Sequence, residues 1–143
     1  MRAVVQRVSR AEVRVEDRVS GEIGHGLVIL LGVAHGDGEA EAVRLAGKIA
    51  RLRVFGNDAG RFDLDLRDVG GWALVVSQFT LIADTERGNR PSFGDAATPE
   101  AAEPLYESFC AGLRAEGVRV ENGVFGARME LVGDGPVTIV LDT

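Results

Sequence analysis

Three polar side chains interrupt the most apolar stretch of this chain. In WALVVSQFTLIAD, residues 72–84, Ala73 to Val76 form an unbroken apolar run that Ser77 and Gln78 break, with Thr80 two positions further on. Two hydroxyls and an amide suit acyl transfer, because a hydroxyl becomes a nucleophile once a base takes its proton and N–H donors can hold a developing oxyanion. Burying such groups without partners costs roughly 1–3 kcal/mol each, so the sequence requires either partners or a ligand there. From spacing alone, bonds from Ser and Thr to strand backbone would account for them.

The base is what the sequence withholds. Ser77 is outside any Gly-x-Ser-x-Gly elbow, and the two histidines, His25 and His35, sit in glycine-rich turns at opposite ends of a strand. Ten extended residues at about 3.3 Å each put them about 30 Å apart, too far to share one serine or one metal. No His-x-x-x-His pair accompanies them, and we expect surface histidines, no metal and no cofactor. Cys110 lies beside Phe109 in a helical apolar stripe, where a thiol behaves as a small buried hydrophobe. The glycines of GVAHGDGEA do not form Gly-x-Gly-x-x-Gly and no Lys-Ser/Thr follows, so they are turn residues and not a nucleotide loop.

Bulk properties set the context. At 143 residues and 45% hydrophobic, the chain suits one domain, residues 1–143, with a real core. A single cysteine excludes an intramolecular disulfide framework, the first residues carry no export signal, and no apolar run nears the roughly 18 residues of a membrane span. We expect a cytoplasmic, soluble protein. A net charge of −6 requires any nucleic-acid contact to use a local basic patch.

The elements that must position the polar set are mostly strands. Alternation predicts strands at 2–8, 11–16 and 18–23 in a meander, with Glu16-Asp17 as a tight turn. Leu27 to Leu31 read as a fully buried central strand. A helix of about four turns follows Asp37, which is available as its cap, with Ala42, Ala46, Ile49 and Ala50 on its buried side. RLRVF predicts a strand, GNDAG a turn, and residues 72–82 another strand. Residues 84–97 form a loop of functional length. A second helix runs over 99–116 with Thr98 as N-cap, Pro99 at its first position and Leu105, Phe109 and Leu113 as its core stripe, disturbed early by Pro104. Strands at 118–121, 127–132 and 137–142 complete an α+β fold: a mostly antiparallel, curved sheet or barrel with two main helices packed outside.

Several short strings, in one order along the whole chain, change the weight given to the polar set. RAVVQRV, SGEIG, SQFTL, RGNRPSF, PLYESF, GVFGA and DGPVT together closely resemble the D-aminoacyl-tRNA deacylase family, also described as D-tyrosyl-tRNA deacylase. The resemblance implies a homodimeric hydrolase with D-aminoacyl-tRNA and glycyl-tRNA as partners, cutting the ester to the terminal adenosine. It further implies that a Gly-Pro pair with a cis peptide bond, here Gly135 and Pro136, projects from one subunit into the other's pocket. There it would lie beside Ser77, Gln78, Phe79 and Thr80 and reject L residues with backbone carbonyls. Backbone N–H groups near Gln78 and Phe79 are then candidates for an oxyanion hole, and the tRNA end would complete Ser77 and Gln78. Thr80 lacks an activating base, which favours assistance by the substrate's own 2′-hydroxyl.

Arg7, Phe125 and Met129 are expected to support the Gly-Pro loop and the pocket wall. Arg87 and Arg90, with Arg51 or Arg53, are expected to meet RNA. Two places depart from the family pattern: GRFDLDL stands where Gly-Lys-Met-Asn is common, altering Phe62 and Asp63, and Arg128 stands where an aspartate is usual. Arg128 is therefore given no catalytic role. Two rival functions remain at this point, a noncatalytic module that binds a tRNA end and a general small-ester hydrolase.

Overall fold

The computed structural model describes residues 1–135 and 137–143. Its strands are β1 (Arg2–Val8), β2 (Ala11–Val15), β3 (Arg18–Ile23), β4 (Gly26–Gly32), β5 (Phe55–Gly56), β6 (Phe62–Leu64), β7 (Trp72–Ser77), β8 (Arg119–Asn122), β9 (Glu130–Gly133) and β10 (Thr138–Asp142). The helices are α1 (Glu39–Ala50) and α2 (Pro99–Ala115), with a short 3-10 turn at Phe79–Leu81.

Two sheets carry the fold: a five-stranded one in the order β10-β1-β4-β7-β8 and a three-stranded one in the order β3-β2-β9, beside a short β5-β6 ribbon. The α+β class holds, and the sheets do not close into a barrel. Most pairings are antiparallel, but β4-β7 and β7-β8 are parallel. The predicted meander does not form, because β1 pairs with β4 and β10 while β2 pairs with β3 and β9. The chain leaves one sheet for the other at Ser9 and Arg10. Glu16 and Asp17 do form the turn between β2 and β3, with φ of 51° and 62°, the left-handed pair that two-residue hairpins use.

The five-stranded sheet is the middle of three layers, which explains its continuous apolar strands. Leu27, Ile29 and Leu31 of β4 and Ala73 and Val75 of β7 pack toward the helices, in one core with Leu45, Ile49, Phe109 and Leu113. The alternate residues Val28, Leu74 and Val76 pack against Val13 and Ile23 of the other sheet. A strand buried on both faces has no polar side to show.

The helices differ from expectation in detail. Gly38, not Asp37, caps α1, and its N–H donates to the Glu41 carboxylate at 2.7 Å. Asp37 instead accepts from the Ala34 N–H at 2.8 Å and pairs with the buried Met1 ammonium at 2.7 Å. The 12-residue α1 is shorter than the predicted four turns. Thr98 caps α2 as expected, and Pro104 does not break it: on the exposed face it removes only the bond its N–H would have made to Glu100. Leu105 is only partly buried, and Tyr106 takes a place in the core stripe. The strand predicted from RLRVF reduces to Phe55 and Gly56.

Candidate active site

The polar set sits where a sheet ends. β4 and β7 run parallel, with Leu30 opposite Val76 and Leu31 opposite Ser77. The Gln78 N–H makes the last rung, donating to the Leu31 carbonyl at 2.8 Å, and the chain then turns through Phe79–Leu81. The predicted strand 72–82 therefore stops at Ser77. Ser77 and Gln78 are half-buried, and Phe79 and Thr80 are exposed. These polar groups do not enter the core, and no buried side-chain N or O among the described residues lacks a partner. Gln78 Nε2 donates to Thr80 Oγ1. The unsatisfied amide expected from the sequence is thus already engaged.

A pocket of about 570 Å³ opens at these strand ends. Ser77, Gln78 and Phe79 line it together with Phe125 and Met129, so five of the predicted residues share one cavity. Thr80 is not among its lining residues. Sequence reasoning missed Ala96 and Ala97 on the approach to α2, Pro99 and Ala102 in its first turn, and Leu131 of β9. Small residues give no chemical signal; their contribution is space. Phe93, inside the RGNRPSF string, meets Phe79 edge to face at 5.2 Å and ties the loop to the 3-10 turn.

No titratable residue lines this pocket among those described. Behind Phe125, Tyr106 packs on its ring at 5.9 Å and donates its hydroxyl to the Val75 carbonyl at 2.8 Å. Asn122 Nδ2 donates to the Tyr106 oxygen at 2.8 Å and to Cys110 Sγ at 3.2 Å. Burial pushes both the Tyr106 hydroxyl and the Cys110 thiol upward, so both stay protonated as structural groups. The proposed N–H donors also change. The Gln78 N–H is committed to Leu31, whereas the Phe79 and Thr80 N–H groups donate to no other backbone group among the described residues. Among those residues, no three His, Cys, Asp or Glu side chains converge as metal ligands.

The remaining predicted residues lie elsewhere. Arg7 and Gly135 line a second cavity of about 540 Å³, with Ser9, His25 and Phe62. Arg7 donates to the Val54 carbonyl at 2.8 Å, and its guanidinium stands over the Phe62 ring at 5.5 Å. Pro136, and with it the Gly135-Pro136 peptide bond, is outside the described residues. Arg87 and Arg90 are exposed on the loop closed by the Asp84–Ser92 bridge and form no ion pair among the described residues. Arg51 pairs with Glu116 and Arg53 with Asp63, so those two cations are already engaged. Exposed Arg128 borders a shallow depression with Arg14, Glu16, Asp17 and Glu130, outside the pocket.

An α+β fold of helices, mixed sheet and second sheet, with an uncharged pocket at the parallel strand ends, agrees with what the chain is similar to. The sequence profile described as D-Tyr-tRNA(Tyr) deacylase matches residues 4–142. The chain belongs to that family, whose members are ester hydrolases acting on aminoacyl-tRNA. It is 61% identical to the D-aminoacyl-tRNA deacylase of Anaeromyxobacter dehalogenans, covering all of this chain and 97% of the relative. It is 62% identical to that of Roseiflexus sp., covering 100% and 94%. A solved structure described as c-Myc DNA Unwinding Element Binding Protein superposes with a TM-score of 0.93 at 40% identity, over 100% of this chain and 99% of the other. Among the described residues no helix is long and apolar enough to cross a membrane.

Proposed function

We propose that residues 1–143 act as one deacylase domain that removes D-amino acids, and glycine, from tRNA in the cytoplasm, working as a homodimer. The observation that carries this is the pocket itself: Ser77, Gln78 and Phe79 at an apolar cavity without any titratable lining residue. Such a site cannot run general acid–base catalysis from its own side chains. It suits a substrate that brings its own hydroxyl. Water attacks the ester carbonyl, the Phe79 N–H group holds the oxyanion, and the carbonyl–oxygen bond to the ribose breaks. The neighbouring 2′-hydroxyl helps pass the water's proton to the departing 3′-oxygen.

In this reading Gly135 and Pro136 of one subunit enter the partner's pocket and turn L side chains away. Support comes from the division of the predicted residues between two cavities within one chain, which a hook serving a neighbour would bridge. Further support is the exposed apolar surface of Leu131 and Val132 on β9 and Val140 on β10, both strands at sheet edges.

The test compares a D-aminoacyl-tRNA with the ethyl ester of the same D-amino acid. We expect rapid release from the tRNA and little from the ethyl ester, which lacks the 2′-hydroxyl. Cleavage of neither would leave a binding module, and equal cleavage of both a general esterase.

A further inference from the structure

The two crossings between the sheets lie side by side. One is Ser9-Arg10, between β1 and β2; the other is residues 134–137, between β9 and β10. The second crossing contains Gly135, and three contacts fasten it to the first. The Asp134 carboxylate accepts from the Ser9 N–H at 2.8 Å, from the Ser9 hydroxyl, and from the Arg10 N–H at 3.5 Å. The Val137 carbonyl accepts from the Arg7 N–H at 2.9 Å. Between them the Gln6 side chain lies under Gly135, so close that a Cβ there would stand 2.5 Å from Gln6 Nε2. Gly133, Asp134 and Gly135 are exposed on their other side.

Asp134 does not line the cavity that holds Ser77 and Gln78, and its carboxylate is already occupied by the Ser9 and Arg10 donors. A loop held only by backbone bonds at its far end would pivot about Val137. Fixing the near end at Asp134 removes that freedom, and a steric filter needs this because a displacement of about 1 Å is enough to admit an excluded group. The Ser9 hydroxyl and N–H hold the Asp134 carboxyl below the usual carboxylate range, as expected for an acceptor-only role.

We propose that Asp134, clamped to Ser9, is the positioning residue that holds the Gly135-Pro136 hook in its rejecting position. This rests on the proposed role of the hook. Removing the clamp is expected to loosen discrimination more than it slows the reaction.

The test measures kcat/KM of the wild type, Asp134→Ala and Ser9→Ala on D- and L-aminoacyl forms of one tRNA, with sedimentation and thermal melting on the same samples. We expect Asp134→Ala to keep its assembly and most of its rate on the D substrate while its D-over-L ratio falls by about tenfold or more, and Ser9→Ala to fall part of the way. If Asp134→Ala does not fold, Asp134→Leu decides: it keeps the shape of the side chain but offers no acceptor to Ser9, and its ratio should fall as well. A selective wild type with equally selective folded variants would overturn the clamp alone. A wild type without D-over-L preference would overturn the hook on which the clamp rests, and the clamp with it.

Discussion

Gln78 donates its side-chain amide to the hydroxyl of Thr80. The one threonine in the SQFT string thus has its oxygen turned to a neighbour that cannot take a proton from it. Thr80 also lies outside the pocket lining, and among the described residues the pocket offers no base. Thr80→Ala and Ser77→Ala should each slow single-turnover deacylation by no more than about tenfold, against the four or more orders of magnitude lost with a covalent nucleophile. A substrate whose terminal adenosine lacks the 2′-hydroxyl should bind and be nearly inert. An inactive Thr80→Ala, with acyl-enzyme trapped in the wild type, would show the mechanism to be covalent.

Tyr106 supports the site from inside the core. Its hydroxyl donates a hydrogen bond to the buried Val75 carbonyl and accepts one from Asn122, so Tyr106→Phe leaves that carbonyl and the half-buried Asn122 amide each short of a partner. The cost should be about 1–3 kcal/mol, read as a lower urea midpoint with an unchanged slope. Activity on a D substrate at low denaturant should change little, because the ring still packs on Phe125. Unchanged stability would mean that the Tyr106–Asn122 bond contributes nothing net.

Stability should fall at acid pH for a definable reason. Four carboxyls are held below their ordinary range: Asp63 by the Arg53 guanidinium, Asp65 by Arg67, Glu41 by the Gly38 N–H and Asp134 by Ser9. A depressed folded-state value means that the unfolded chain binds more protons at low pH. The stabilisation is therefore complete above the ordinary carboxylate range and is lost as pH falls through the depressed values, below about pH 4. Urea midpoints measured from pH 7 to 3 should be nearly level until then. A decline as steep between 7 and 5 as below 4 would assign the pH dependence to other groups.

The central strands were legible in the sequence because a strand covered on both faces must be apolar throughout, and Leu27–Leu31 and Ala73–Val76 are. The polar end of the second run pointed to the pocket. Its boundary did not show, because Leu81 and Ile82 continue the apolar pattern. The chain turns there over Gly32 of β4, where a Cβ would meet Leu81 Cβ at 3.0 Å and the Gln78 carbonyl at 3.1 Å, a contact between residues about fifty positions apart. Local pattern carries no such information. The false meander has the same cause: β1 has a good alternation, but its partners β4 and β10 are chosen by tertiary packing. The resemblance named Ser77, Gln78, Phe79, Phe125 and Met129, which one cavity gathers; it could not reveal that the Gln78 N–H is already used as a sheet rung.

Binding of tRNA should depend on the two loop cations more than on Arg51 and Arg53. Arg87 and Arg90 form no ion pair among the described residues, whereas Arg51 and Arg53 are paired with Glu116 and Asp63. Replacing both loop arginines with Gln should weaken binding and lower the slope of log affinity against log salt by about 1.5, two phosphate contacts' worth. The same change at Arg51 and Arg53 should alter the slope less. Equal slopes for the wild type and the Arg87/Arg90 variant would put the RNA on another face.

The proposed homodimer makes a prediction that a monomer cannot meet. Gly135→Trp should block the neighbour's pocket even to a D substrate, because an indole on the exposed hook would occupy the space the substrate needs, while the pocket of that subunit stays intact. Ala97→Trp should fill the pocket while leaving the hook of its own subunit intact. Each variant alone should be nearly inactive on a D substrate. Unfolded and refolded together in equal amounts, half of the dimers will be mixed, and each mixed dimer will join one sound pocket to one sound hook across the two-fold interface. Deacylation should return to about a quarter of the wild-type rate, half of the dimers with one of two sites working. Recovery on mixing requires the hook to serve the neighbouring subunit. If each hook served its own pocket, every subunit in the mixture would carry one defect and activity would stay at the level of the separate variants, even with dimers confirmed by sedimentation.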